Sequence, residues 1–534
     1  MIAAIATSKT ELPTDPEKLR SYSWDLTLAY QQLTEKYNKV LGTLYGRSSE
    51  KRTDIEELDA LQVEMDELLS RSLAIEEQLT NAESPPGEEE TVEVTVRRRR
   101  RRKSGRNSIP EELITDVIVD IAESEKICQC CGETMTVFDT KPHIVVERIP
   151  AEYKATRYIR PVYGCSHCKD TTKVAEPVHL PISKGLAGLH LLLFVILSKY
   201  HYHLPLYRIQ RQIFHESQIW FTRSTLVSWV RHVCGLLERI HRGLLTAYRS
   251  SRIKHADETP FQVQWDAKYH TAYMWVGITG DSRTAVFLFN RHRSGQSALK
   301  LLEGSSPGDF LMVDDCPSYN KAVKKLKLRA LRCMVHIRRK FFEAFKSGHK
   351  KEFNNKVLIK IGQLYRIERF ANKHNLEPDK RLALRTKYSK PIMDQIKALL
   401  YNPGFPILPQ TDTGGAIRYF LNNWQEATRF LDSGDLPIDN SVNERIIRQF
   451  TLGRNNWGHA GSEQGAHWMA ILYSIITTCK LNSIDPQKYL EDILMRLTIR
   501  PPTADISDLL PIQWYKNQNN GKMPELQTLY PFKD

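Results

Sequence analysis

Leu19, Leu26, Leu33 and Val40 recur every seven residues with Tyr30, Tyr37 and Leu44 interleaved, and the rhythm resumes through Leu58, Leu61, Met65, Leu68, Ser72, Ile75 and Leu79. A seam this narrow needs a partner helix, because on a lone helix it stays in water. The two halves can fold on each other as an antiparallel hairpin, or the coiled-coil leader (1–84) can join copies of the chain into a homo-oligomer. Residues 85–110 then lose all periodicity and carry an acidic block followed by a basic one, the composition of a flexible linker. "SIPE" (108–111) offers a cap, a first-turn proline and a glutamate three after the serine, which predicts a helix start.

Farther on, "VVERIPAEYKATRYIRPVYG" alternates as a β-hairpin does. Residues 186–245 return to helical spacing. Within them, "LPLYRIQRQIFHESQIWFTRSTLVSWVRHV" reads as helix, short turn and a second helix beginning near Thr222 or Ser224. That is the shape of a helix-turn-helix, with Arg223 and Arg231 on the second helix as candidate DNA contacts; plain helical packing gives the same pattern. From 251 the period drops to two for three strands, after which helix and strand alternate. This is the mixed α/β order of a ribonuclease-H-like sheet. The expected organisation is a zinc-ribbon DNA-binding domain (111–180), a helix-turn-helix-like helical domain (181–250), a catalytic core in two parts (251–345 and 431–490) around a helical insertion (346–430), and a C-terminal tail (491–534).

Charge sharpens this division. The net charge is +14, yet residues 51–96 hold three basic and fourteen acidic side chains, while Arg97, Arg98, Arg99, Arg100, Arg101, Arg102, Lys103 and Arg106 form a dense basic run. An acidic segment followed by a basic body points to a polyanion partner, with the run binding phosphates. The longest apolar run, "LAGLHLLLFVIL", is shorter than the roughly 18 residues that span a bilayer. No basic region precedes an apolar core at the N-terminus. A cytoplasmic, nucleoid-associated protein with no membrane partner is therefore expected.

Nine cysteines are too sparse for a disulfide scaffold, and five fall between 128 and 168. Cys128 with Cys131 and Cys165 with Cys168 form two C-x-x-C turns, each able to give zinc two soft ligands at tetrahedral angles. Structural zinc is the expectation; a redox pair and buried thiols are the alternatives, and Cys130 can replace Cys131 if the turn shifts. Two acids follow apolar strand runs: Asp257 in "IKHADET" and Asp314 in "FLMVDDC". A helix across the sheet can add Glu444 from "IDNSVNERIIRQF", where Val442, Ile446 and Phe450 form an apolar stripe beside Asn440, Glu444 and Arg448. Three converging carboxylates repel unless a divalent cation neutralises them, and hard oxygen ligands suit Mg²⁺ or Mn²⁺. Such ions activate a water or a 3′-hydroxyl for attack on a phosphodiester.

Seven collinear segments, "LSKYHYHLPLYR", "HADETP", "VDDCPSY", "CMVHIRRKF", "IDNSVNER", "GRNNWGHAGSEQG" and "CKLNSIDPQKYL", resemble the motifs of insertion-sequence 66 family transposases over nearly the whole chain. The resemblance implies an acidic triad at Asp257, Asp314 and Glu444, Mg²⁺ as cofactor, and strand cleavage and transfer on double-stranded DNA at element ends and target. Accessory proteins of the same element are possible partners. His336 and Arg339 match the "HxRR" segment, and Asn440 and Arg445 the "DNNxxER" segment; support or DNA contact is expected of them. Glu258 stands where a second aspartate is usual, Asp315 where a glycine is usual, and Ser441 for an asparagine. "GRNSIP" lacks the proline expected after its arginine. A catalytically silent DNA-binding regulator and a structure-specific nuclease on the same fold are the alternative readings.

Overall fold

The computed structural model describes Cys130 and residues 152–160, 162–164, 172–174, 178, 180–182 and 185–527. The heptad leader, the linker with its basic run, and Cys128, Cys131, Cys165 and Cys168 lie outside the described residues. The chain divides into two compact units, Met1–Pro142 and His143–Asp534. Of the first, only Cys130 is described, an exposed free thiol. In the second, β1 (Val162–Gly164) pairs antiparallel with β2 (Thr172–Val174).

Three helices lead into the main sheet: α1 (Leu189–Tyr200), α2 (Leu206–Ser217) and α3 (Arg223–Ser250). The α3 start falls where the sequence put it, with the Thr222 hydroxyl accepting the Thr225 N–H. Leu226, Val230, Val233, Leu237, Ile240, Leu244 and Tyr248 keep helical spacing and are buried. They enter the same apolar core as the sheet.

That sheet contains β3 (Ile253–Trp265), β4 (Lys268–Thr279), β5 (Ala285–Asn290), β6 (Phe310–Val313) and β7 (Arg329–Arg332), in the spatial order β5-β4-β3-β6-β7. The first three strands are antiparallel, while β6 and β7 run parallel to β3. The parallel crossovers pass through α4 (Gly295–Leu302) and α5 (Pro317–Leu326), as parallel pairing requires. The central strand β3 presents Lys254, His255 and Ala256 in buried positions just ahead of Asp257. Gly277 on β4 lies under the Tyr248 ring, where a Cβ would sit 2.5 Å from it. The Tyr248 hydroxyl donates to the His255 carbonyl, 3.0 Å, so α3 is pinned to β3.

After β7 the chain enters α6 (Met334–Lys346), then α7 (Lys351–Lys373), α8 (Pro378–Leu384), α9 (Lys390–Tyr401), α10 (Asp412–Asn422) and α11 (Trp424–Thr428). Met334, Ile337 and Phe341 of α6 join Val357, Ile361, Met393, Ile396 and Phe420 in a core separate from that of the sheet. Arg385, fully buried, donates to both carboxylate oxygens of Glu368 at 2.7 Å and to the carbonyls of Phe430, Ser433 and Leu436. This guanidinium ties the end of the insertion to its middle and directs the chain back to the sheet. There α12 (Ser441–Trp457), β8 (His459–Ala460) and α13 (Glu463–Leu481) follow, with α14 (Pro486–Ile499) and α15 (Pro511–Gln518) beyond. Ser474 and Thr478 of α13 accept the Phe287 and Ala285 N–H groups at 2.7 and 3.1 Å, capping the β5 edge. Among the described residues, no helix is long and apolar enough to cross a membrane.

Candidate active site

The parallel register of β3 and β6 pairs Ile253 with Phe310 and His255 with Met312. Continued two residues past the paired stretch, the same offset sets Asp257 against Asp314 on one face of the sheet; Asp314 directly follows the end of β6, whereas Asp257 lies inside β3, paired with Val276 of β4, and not at a strand end as the sequence suggested. The two carboxylates, 57 residues apart in the chain, are close enough for the charge of Asp314 to raise the Asp257 carboxyl.

Glu444 arrives from α12, in its first turn, and the seating of that helix is specified by amides. Asn440, the cap residue, is fully buried: its Nδ2 donates to the Ala256 carbonyl at 3.1 Å and its Oδ1 accepts from His255 Nδ1 at 2.9 Å. Asn443 Nδ2 donates to the Val276 carbonyl at 3.3 Å. Phe450, two turns on, packs edge-to-face on Phe261 at 5.1 Å. Of the two roles expected of Asn440, support and DNA contact, the geometry fits support: its amide is committed inside the protein and joins α12 to β3 next to Asp257.

Electrostatics ties the three acids together. The Asp257 carboxyl is pushed up to about 8, first by burial, then by the charges of Glu258 and Asp314 and more weakly by Glu444, against one bond from its neighbour's N–H. Asp315, the rival for the second position, turns elsewhere: it pairs with Arg332 at 3.4 Å and accepts from Asn423 at 3.3 Å. Glu258 is also occupied, accepting from Arg293 Nε at 2.5 Å and from the buried Tyr319 hydroxyl at 2.7 Å.

The three carboxylates do not all close to within 4.8 Å of one another. Among the described residues that closeness is reached by Cys333, His336 and Glu444. Glu444 Oε1 lies 4.0 Å from His336 Nδ1, and both atoms are buried without a hydrogen-bond partner. Glu444 thus faces the imidazole of His336.

The remaining predicted residues are spread around this centre. Arg339 is exposed one turn beyond His336 on α6. Arg445 is half-buried and faces away, lining a groove with Asp281, Val442 and Leu481. Arg223 is exposed at the start of α3; Arg231, also exposed, borders a cavity of about 490 Å³ between α3 and α13. Sequence reading did not find the Glu258–Arg293–Tyr319 network or the placement of Cys333. The C-x-x-H spacing in "CMVHIRRKF" was the available signal for the latter.

Comparison with known proteins places these observations in a lineage. Residues 184–468 match the family described as "Transposase IS66 family", and residues 474–512 match "IS66 C-terminal element". Residues 32–117 match "Transposase C of IS166 homeodomain", and 125–169 match "zinc-finger binding domain of transposase IS66". The last span contains all four paired cysteines, which supports a structural zinc. Two proteins of Sinorhizobium fredii are similar along most of their length. "Uncharacterized protein y4hP" is 27% identical over 90% of this chain and 88% of its own. "Uncharacterized protein y4jD" is 30% identical over 76% and 80%.

Proposed function

Because the chain belongs to the insertion-sequence 66 family of transposases, we propose that it cuts and joins DNA phosphodiesters at the ends of a mobile element. Asp257, Asp314 and Glu444 would be the carboxylates that hold the catalytic divalent ions. The observation that carries this reading is the β3–β6 register, which brings Asp257 level with Asp314 beneath the α12 turn bearing Glu444. The strand order, with three antiparallel strands followed by two parallel ones, supports a ribonuclease-H-like core.

The residues present fit Mg²⁺ or Mn²⁺. The donors are hard carboxylate oxygens, Asp257 holds its proton to about pH 8 because it is buried and then because acids surround it, and Glu444 Oε1 has no hydrogen-bond partner. When bound, such ions would supply an activated water or 3′-hydroxyl and a counterion for the leaving oxygen. The chain's own part is positional. Asn440 and Asn443 fix the α12 turn against the sheet, and the Glu258–Arg293–Tyr319 network immobilises the strand segment behind Asp257. Arg338, Arg339 and Lys340, exposed on α6 beside His336, would take phosphates of the DNA backbone. Asp257 must lose its proton for the site to load, so Mg²⁺ binding should release a proton and tighten as pH rises.

Arg223, Arg231 and the 97–106 run would bind DNA outside this centre, and the heptad leader would join copies of the chain. The test is cleavage and joining of linear DNA bearing element ends. Asp257→Asn, Asp314→Asn and Glu444→Gln should each abolish both reactions while end binding in a gel-shift assay persists. Retained cleavage in any of the three removes the assignment of that residue.

A further inference from the structure

We propose that Cys333, His336 and Glu444 form a second, thiophilic metal site, which captures Zn²⁺ or a similar soft divalent ion and withdraws Glu444 from Asp257 and Asp314. Their Sγ, imidazole nitrogen and carboxylate oxygen lie within 4.8 Å of one another. A tetrahedral zinc ion with one sulfur and one nitrogen ligand needs donors about 3.5 Å apart. Modest side-chain rotations close the remaining gap, and three protein ligands leave the fourth position to water.

Cys333 is a buried thiol with two N–H groups directed at its sulfur. Cys333 caps α6, and its sulfur accepts the Asn440 N–H at 3.2 Å, with the His336 N–H also directed at it. Burial pushes the Cys333 thiol up to about 12, and the Asn440 and His336 N–H groups offset this only in part, so the sulfur would give up its proton to the incoming metal and not before it. His336 Nδ1 and Glu444 Oε1 are buried with no partner in the protein, so a metal would satisfy two polar atoms that nothing else satisfies. The donor set also selects against the catalytic ion: a thiolate and an imidazole prefer zinc, cobalt or cadmium over magnesium.

Binding at this site is independent of the catalytic reading; only its consequence for Glu444 rests on it. The experiment uses the full chain with zinc already in its cysteine-rich N-terminal region, titrated with Co²⁺ in the absence of DNA and magnesium. The wild type should show a sulfur-to-cobalt charge-transfer band in the near ultraviolet that Cys333→Ser removes and that His336→Asn and Glu444→Gln weaken at least tenfold in cobalt affinity. The N-terminal cysteines are unchanged in all four proteins, so their contribution cancels, and circular dichroism confirms that each variant is folded. Identical spectra and affinities in wild type and Cys333→Ser, or in wild type and the other two, overturn the site. In the cleavage assay, low Zn²⁺ should inhibit the wild type in competition with Mg²⁺. Cobalt binding without such inhibition would retain the metal site but overturn its capture of Glu444.

Discussion

Replacing Asp257 by asparagine should stabilise the metal-free protein while destroying its chemistry. The Asp257 carboxyl ionises near 3.8 when unfolded and near 8 in the fold. A group whose folded value is raised contributes stability below its unfolded value and loses it as pH rises toward the folded value. At pH 7 the unfolded chain gains free energy by ionising this carboxyl and the folded chain does not. At 1.36 kcal/mol per pH unit, the ceiling on the resulting destabilisation is about 4 kcal/mol. Water penetration and side-chain relaxation around a partly buried carboxyl reduce this to about 2 kcal/mol. Asparagine keeps an oxygen for the Glu258 N–H, which Asp257 Oδ1 accepts at 2.8 Å, and adds donors among acids. The assay is thermal unfolding from pH 4 to pH 9, after dialysis free of magnesium but without a chelator, so that tightly held zinc stays. Asp257→Asn should exceed wild type by about 3–5 °C at pH 8, with the gap shrinking toward pH 4 and on addition of Mg²⁺ to the wild type. A variant equal to or less stable than wild type at pH 8 would refute the idea that burial and the neighbouring acids together penalise a charged Asp257 in the fold.

Three further outcomes test the rest of the fold. Arg385→Met leaves Glu368 buried with only Arg381 nearby, 3.9 Å away, and should cost about 3 kcal/mol with faster proteolysis within 346–430; adding Glu368→Leu should restore most of the loss. Gly277→Ala drives a methyl into the Tyr248 ring and should lower stability by about 1–3 kcal/mol in chemical denaturation, an effect that Tyr248→Leu relieves. Deleting 97–106 removes eight cations, and the log–log salt dependence of DNA binding should flatten by about 0.9 for each lost phosphate contact; an unchanged slope would place those cations away from DNA.

Much of the sheet region around the candidate site was legible in the chain because its signals are local. The change from period 3.6 to period 2 near 251 marks β3, and the cap at Thr222 marks α3. Asp257 and Asp314 could be singled out because each follows apolar strand residues, although Asp257 proves to lie inside β3 and only Asp314 at a strand end. What could not be read is contact between distant segments. Nothing near Asn440 says that its amide lies between His255 and Ala256, some 184 residues earlier. Nothing near Glu258 announces Arg293 and Tyr319, and the lean of Glu444 toward Cys333 and His336 depends on how the insertion returns the chain to the sheet. The heptads, the basic run and the paired cysteines lie outside the described residues, so the structure neither adds to them nor subtracts from them.

The most direct measurement is anomalous diffraction from crystals of the protein grown with Mn²⁺. The account predicts manganese peaks bonded to Asp257 and Asp314, with Glu444 turned from His336 to join them. Manganese elsewhere, or a peak at this position that survives Asp257→Asn together with Asp314→Asn, would contradict it.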